Sequence, residues 1–192
     1  MTLEECPPVP EEKLPPRQTI KLELYFWLQA MVFALVCIIL VFTFVGRIIG
    51  VEGESMEPTL LDGDMLLLQS IGYHPKQGDI VVLTKESFME QPIVKRVIAV
   101  GGQTVRIDYE AGEVRVDGAV LDEPYINELM QSPGWDNVDD ITVPEGSIFV
   151  MGDNRNHSTD SRAPQVGTVD ERDVLGRALL VLFPFQRLGG VA

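Results

Sequence analysis

The chain has 192 residues, 45% hydrophobic and 23% charged, with a formal net charge of −14. That length holds one domain plus an anchor, the composition excludes disorder throughout, and the acidic balance argues against nucleic acid as a partner, which requires a basic patch. The charge is concentrated from Val51 onward, where 24 acidic and 11 basic side chains leave −13, and it reads as a solubility feature. Both cysteines, Cys6 and Cys37, precede Val51, so the rest of the chain has neither a disulfide framework nor a Cys-based zinc site.

Residues 1–24 form a tail with five prolines among glutamates, expected to be extended and poorly ordered. The run from Tyr25 to Val45 carries no charge. At 1.5 Å per residue its roughly 21 residues match a hydrocarbon core about 30 Å thick. It is longer than the apolar region of a cleavable signal peptide, about 7–15 residues, so 25–47 is assigned as a retained signal-anchor. Lys13, Arg17 and Lys21 precede the span and only Arg47 closely follows it. The positive-inside rule then places the N-terminus in the cytoplasm and residues 48–192 on the outer face of a cell membrane, or of an internal membrane such as a thylakoid.

After Ser55 the pattern is that of strands. Met65–Leu68 follows an Asp-Gly-Asp turn, Asp79–Leu83 follows Lys-Gln-Gly, and Ile93–Val100 is an apolar run broken by Lys95-Arg96. Thr104–Leu121 reads as a small meander with turns at Glu110-Ala111-Gly112 and Asp117-Gly118. Residues 122–145 are polar, with turn signals at Pro124, Pro133-Gly134 and Asp139-Asp140, and read as a loop-rich insert that completes a small cap, at about 103–145, with the meander. Strand signals return at Ser147–Met151 and Leu179–Phe183. The expected fold class is mainly β: one membrane helix carrying an antiparallel β-domain.

Ser55, in Gly53-Glu54-Ser55-Met56-Glu57-Pro58-Thr59, lies just beyond the span and is a candidate nucleophile. A serine hydroxyl needs a base at neutral pH. His157, close to Asp160, would give a Ser-His-Asp arrangement. Lys95 is the other candidate. In a strand it shares a face with Ile93, Val97 and Ala99, and a lysine on an apolar face loses affinity for its proton. The competing reading of Lys95 is a strand-end side chain reaching solvent. The polar loop Gly152–Arg162 follows a strand directly, and its acidic spacing does not match a calcium loop.

Four boxes occur in order: Gly53-X-Ser55-Met56-X-Pro58-Thr59, Gly78-Asp79-Ile80-Val81, Lys95-Arg96-Val97-Ile98-Ala99, and Gly152-Asp153-Asn154 with Ser158-X-Asp160-Ser161-Arg162. Together, behind a membrane anchor, they resemble the bacterial type I signal peptidases of the Ser-Lys class. The resemblance implies a LexA-like, β-rich catalytic fold with a smaller β-cap inserted between the lysine strand and the Gly-Asp-Asn loop. It implies Ser55 as nucleophile and Lys95 as general base, with Ser158 hydrogen-bonded to the lysine amine. It further implies an Asp160–Arg162 ion pair bracing the site and Asp153 supporting the loop. The implied substrates are exported preproteins cut after a small-X-small motif, with the lipid bilayer and the protein-export machinery as partners and no metal or organic cofactor. Met56, Ile80 and Leu83 are the candidate walls of the substrate pockets. Many relatives carry a serine two positions before the nucleophile whose hydroxyl helps bind the oxyanion. This chain has Gly53, so the Ser55 N–H is one donor and the second is unassigned; losing one such donor costs on the order of 10²–10³ in rate.

Three other readings compete. A self-cleaving repressor protease would need a DNA-binding helical domain where this chain has an apolar span. A membrane-anchored Ser-Lys protease with a dedicated substrate would share every motif. A non-catalytic membrane-anchored binding module predicts no joint set of nucleophile, base and orienting group.

Overall fold

The computed structural model describes residues 16–44, 46–85, 89–132 and 140–191. Residues 1–15, with Cys6 and most of the proline-rich tail, and the Pro133-Gly134 turn lie outside the described residues.

Helix α1 covers Pro16–Phe44, 29 residues. Proline at the first helical position is tolerated because its missing N–H would have no intrahelical partner there. No further proline and no glycine follows until Gly46. The tail expected to be extended as far as residue 24 is therefore helical from Pro16. The span also ends earlier than 47: Gly46 and Arg47 open a strand. The segment Glu23–Leu40 is long and apolar enough to cross a membrane.

The rest of the described chain is antiparallel β-structure. Its strands are β1 (Gly46–Gly50), β2 (Met65–Gln69), β3 (Ile80–Lys85), β4 (Met89–Val100), β5 (Thr104–Asp108), β6 (Glu113–Val116), β7 (Ala119–Val120), β8 (Asp140–Thr142), β9 (Ser147–Met151), β10 (Val169–Asp170), β11 (Val174–Phe183) and β12 (Gly189–Gly190). The larger sheet has the order β1-β2-β11-β3-β4-β9-β10, with β12 paired to β11, and a four-stranded sheet has the order β7-β6-β5-β8. The second sheet is inserted between β4 and β9. Strand β8, in the stretch expected to be loop, pairs with β5 through Thr104↔Thr142 and Val105↔Ile141. The short strands β1, β10 and β12 carry no alternation long enough to announce them.

The middle strands of the large sheet are buried on both faces, which is why they read as unbroken apolar runs. Ile80 and Val82 of β3 face a cluster with Val51, Met56, Leu60, Leu66 and Leu68. Their neighbours Val81 and Leu83 face another with Val97, Ile148 and Val150. A third cluster, built from Ile98, Phe149 and Met151 with Val105, Val114 and Val116, joins the two sheets. Leu60 is fully buried in the first cluster although it belongs to a loop. Leu60→Ala is expected to lower stability by about 2–5 kcal/mol through the cavity it leaves, as measured by thermal or denaturant unfolding of the detergent-solubilised chain; a loss below 1 kcal/mol would show that this loop is not anchored through the core.

Candidate active site

The nucleophile candidate sits at the tip of the β1–β2 hairpin. The ladder between the two strands ends at Gly50↔Met65. It is extended by hydrogen bonds from Val51 N to Asp64 O (2.7 Å) and from Gly63 N to Val51 O (2.9 Å), which close the loop 51–64 at its neck. Within the loop, Leu60 N donates to Met56 O at 2.9 Å, one helical turn that points two large apolar side chains into the core. Met56, 1% exposed, thereby fixes the backbone of its neighbour Ser55, which stays half-open to the surface. Arg187, beyond β11, fastens the far side of the loop: its Nη2 donates to Thr59 O at 2.9 Å and lies 3.2 Å from the buried Asp64 carboxylate.

Gly53 has φ +86°, a conformation costly for any residue with a Cβ. A serine at this position would have open space for its side chain but a strained backbone. The Gly53 N–H donates to Asp62 Oδ1 at 2.8 Å and is not free for an oxyanion. The Ser55 N–H forms no hydrogen bond among the described residues.

Lys95 comes from β4, which lies between β3 and β9, with Val81 opposite it. Its side chain is 4% exposed, and Nζ lies 2.6 Å from Ser55 Oγ. The solvent-reaching alternative is therefore not what the fold adopts. Burial pulls the lysine pKa from its usual 10.5 to about 8; the negative field of Asp160 opposes this and the positive field of Arg162 adds to it. Ile93 and Val97, the expected companions on the Lys95 face, share one cluster with Val81. Ala99 belongs to a different one, because a register shift between Val97 and Ala99 interrupts the alternation.

The loop after β9 supplies the surroundings. Asp160, 1% exposed, accepts from the Gly152 N–H (2.9 Å), from Ser158 Oγ (2.7 Å) and from both Nε (2.8 Å) and Nη2 (2.9 Å) of Arg162. Burial alone would raise this carboxyl; the Arg162 charge and these hydrogen bonds outweigh it and hold Asp160 below its ordinary value. The Asp160–Arg162 pair is thus present. Ser158 differs from expectation: its hydroxyl donates to Asp160, and no hydrogen bond joins it to Lys95 among the described residues. Asp153 is fully buried and grips Arg96, the residue after the lysine, with Nε–Oδ1 and Nη2–Oδ2 both 2.8 Å. It also accepts from Thr59 Oγ1 at 2.5 Å, so it ties the base strand to the nucleophile loop rather than merely shaping its own loop.

Asn154 and Gly152 have roles that their motif did not reveal. Asn154 donates from its backbone N to Ser55 O and from Nδ2 to Glu54 O, both at 3.1 Å. A Cβ on Gly152 would lie 2.3 Å from Ser158 Oγ and 2.4 Å from Ser55 O, so the two loops meet at a point where only glycine fits. A cleft of about 420 Å³ opens over Ser55 and Lys95, with Val51, Met56, Ile93 and Val94 among its apolar lining. Ile80 and Leu83, the other two expected wall residues, do not line it; they are buried in the clusters behind. The strand that carries the base contributes the wall instead, through the two residues before Lys95. His157 is exposed at the rim and forms no hydrogen bond with Ser55 or Asp160 among the described residues, and the Asp160 carboxylate is already committed to Arg162.

The family described as "Signal peptidase, peptidase S26" matches residues 24–183. Among curated relatives, a probable signal peptidase I-1 of Synechocystis is 39% identical over 81% of this chain and 81% of its own length. A signal peptidase I of Bacillus licheniformis is 35% identical over 88% of this chain and 93% of its own. A signal peptidase I of Mycobacterium tuberculosis is 34% identical over 83% and 72%. With a serine hydroxyl against a buried amine on a mainly β scaffold, and with matches of this identity and extent, the chain belongs to the signal peptidase family, peptidase S26, and is a serine endopeptidase of the kind that removes signal peptides.

Proposed function

We propose that the protein is a single-pass membrane endopeptidase that cuts N-terminal signal peptides from exported preproteins after a small-X-small motif, with Ser55 as nucleophile and Lys95 as general base. The observation that carries this reading is the 2.6 Å approach of the buried Lys95 Nζ to Ser55 Oγ. With a pKa of about 8, roughly a tenth of the lysine is neutral at pH 7, and that form has a lone pair to accept the hydroxyl proton. Ser55 Oγ then attacks the scissile carbonyl, and Lys95 passes the proton to the leaving amine. Water, deprotonated by the same amine, releases the acyl-enzyme. The Ser55 N–H is available to the developing oxyanion. The substrate lies extended along the cleft, where Val51, Met56, Ile93 and Val94 offer shallow apolar surface that fits small side chains.

Location supports the substrate class. The basic residues before the span put the N-terminus in the cytoplasm and residues 48–192, with the inserted sheet as a cap, on the outer face. A signal peptide leaving the export machinery would occupy the same bilayer as α1. A dedicated-substrate protease would use the same chemistry and differ only in what it cuts.

Ser55→Ala and Lys95→Ala should each abolish cleavage of a precursor, while His157→Ala leaves most activity; N-terminal sequencing of the products reads both the rate and the cleavage site, and a fully active Lys95→Ala enzyme would sink the mechanism. kcat/KM should rise with pH and level off above about 8, because the protonated lysine cannot act as base. Burial also makes the lysine costly to the fold. Its pKa is lower folded than unfolded, so the penalty is full below pH 8 and fades as the unfolded chain also loses the proton near 10.5. Lys95→Met should therefore raise the melting temperature at pH 6, by roughly 2–4 °C per kcal/mol recovered, and the gain should shrink between pH 8 and 10.5.

A further inference from the structure

The chain between β7 and β8 does more than connect two strands of the small sheet. Glu123, 7% exposed, receives both arms of the fully buried Arg155 guanidinium, Nη1 to Oε2 at 2.9 Å and Nη2 to Oε1. The third nitrogen of that guanidinium, Nε, donates to Gly152 O at 3.0 Å. The Arg155 carbonyl in turn accepts from Arg162 Nη2 at 2.7 Å, the same nitrogen that grips Asp160. Two residues on, Tyr125 donates to Glu123 Oε1 at 3.2 Å and lays its ring against the Arg96 guanidinium, 3.9 Å from its centroid. Arg96 follows the base in sequence and holds Asp153. Asn127 N to Asp153 O (3.4 Å) and Gln131 N to Asn156 Oδ1 (2.9 Å) continue the same seam.

These contacts converge on the parts of the site least able to move. Gly152 is wedged against Ser158 and the Ser55 carbonyl with no room for a methyl group, so a shift of Gly152 shifts both. Its carbonyl is held by Arg155, whose buried charge is compensated chiefly by Glu123. One brace therefore runs from Glu123 through Arg155 to Gly152 and Arg162. Another runs from Tyr125 through Arg96 to Asp153 and Thr59.

We propose that Glu123 and Tyr125 are positioning residues for the Ser55–Lys95 pair: the segment between β7 and β8 is a strut that sets the catalytic loop and the base strand, and so governs turnover rather than substrate affinity. This rests on the assignment of Ser55 and Lys95 as the reacting pair.

The test measures precursor cleavage by the full-length chain in detergent, with Ser55→Ala and Lys95→Ala as controls. Glu123→Gln should lower kcat by about 10–100-fold with KM within about twofold. The acid limb of its pH profile should move to higher pH, as a loosened loop lets water reach the lysine. Tyr125→Phe keeps the ring over Arg96 and should restore most of the kcat that Tyr125→Leu loses. A Glu123→Gln enzyme with kcat within twofold of wild type and an unmoved acid limb, in an assay where Ser55→Ala is dead, would overturn the strut and leave the catalytic pair standing. Should Glu123→Gln fail to give a cooperative melt, Glu123→Asp and Tyr125→Leu decide: a selective fall in kcat supports the strut, and full activity in both refutes it. An active Ser55→Ala enzyme would instead remove the underlying assignment.

Discussion

Everything around the site follows from keeping one lysine buried without giving it a carboxylate. A carboxylate free to pair with Lys95 would restore the affinity for the proton that burial removes. Two carboxylates do lie close, and both are committed elsewhere: Asp160 is bidentate to Arg162, and Asp153 is bidentate to Arg96. Each pair is close to neutral seen from a distance, so the fields of Asp160 and Arg162 on the lysine oppose one another and desolvation decides the outcome. The arginines are thus as much a part of the base as the lysine itself. They also explain how Asp153 and Asp160 can both be charged and buried.

The second requirement is that hydroxyl and amine, forty residues apart in sequence, meet within a hydrogen bond. No single element could hold both. The hairpin tip is plugged into the core by Met56 and Leu60, the amine is carried on a strand flanked on both sides, and the loop after β9 is pinned between them. Asn154 takes the carbonyls of Glu54 and Ser55, and Asp153 takes Thr59, so one short loop reads the position of both partners. Rigid strands supply the distances and the loops supply the reach, which is the usual division between scaffold and site.

Much of this was legible in the sequence because the relevant signals were local. The apolar runs at Met65, Ile80 and Ser147 are strands, the Asp117-Gly118 turn has both residues at positive φ as a tight hairpin demands, and Lys95 sits among apolar neighbours as its strand position requires. Most of what differed from expectation depended on contacts distant in sequence. Ile80 and Leu83 look like wall residues only until the sheet is seen to be covered on both faces, which leaves them no access to the cleft. The companionship of Lys95 with Ala99 failed at a bulge that the sequence does not mark. Ser158 bonds to the carboxylate two residues away instead of to the amine, a choice fixed by where Gly152 and Arg162 place Asp160. The start of α1 at Pro16 lies within a tail whose proline content points to extended chain, because proline fits the first helical position as well.

Arg187 gives the site a timetable. The serine lies in the first third of the chain and the lysine at its middle, but the loop that carries the serine is latched from beyond β11, where Arg187 holds Thr59 and Asp64. A chain that emerges N-terminus first displays its nucleophile long before the residues that fix it. The contacts of Thr59 and Asp64 with Arg187 can therefore be made only after nearly the whole chain has been synthesised.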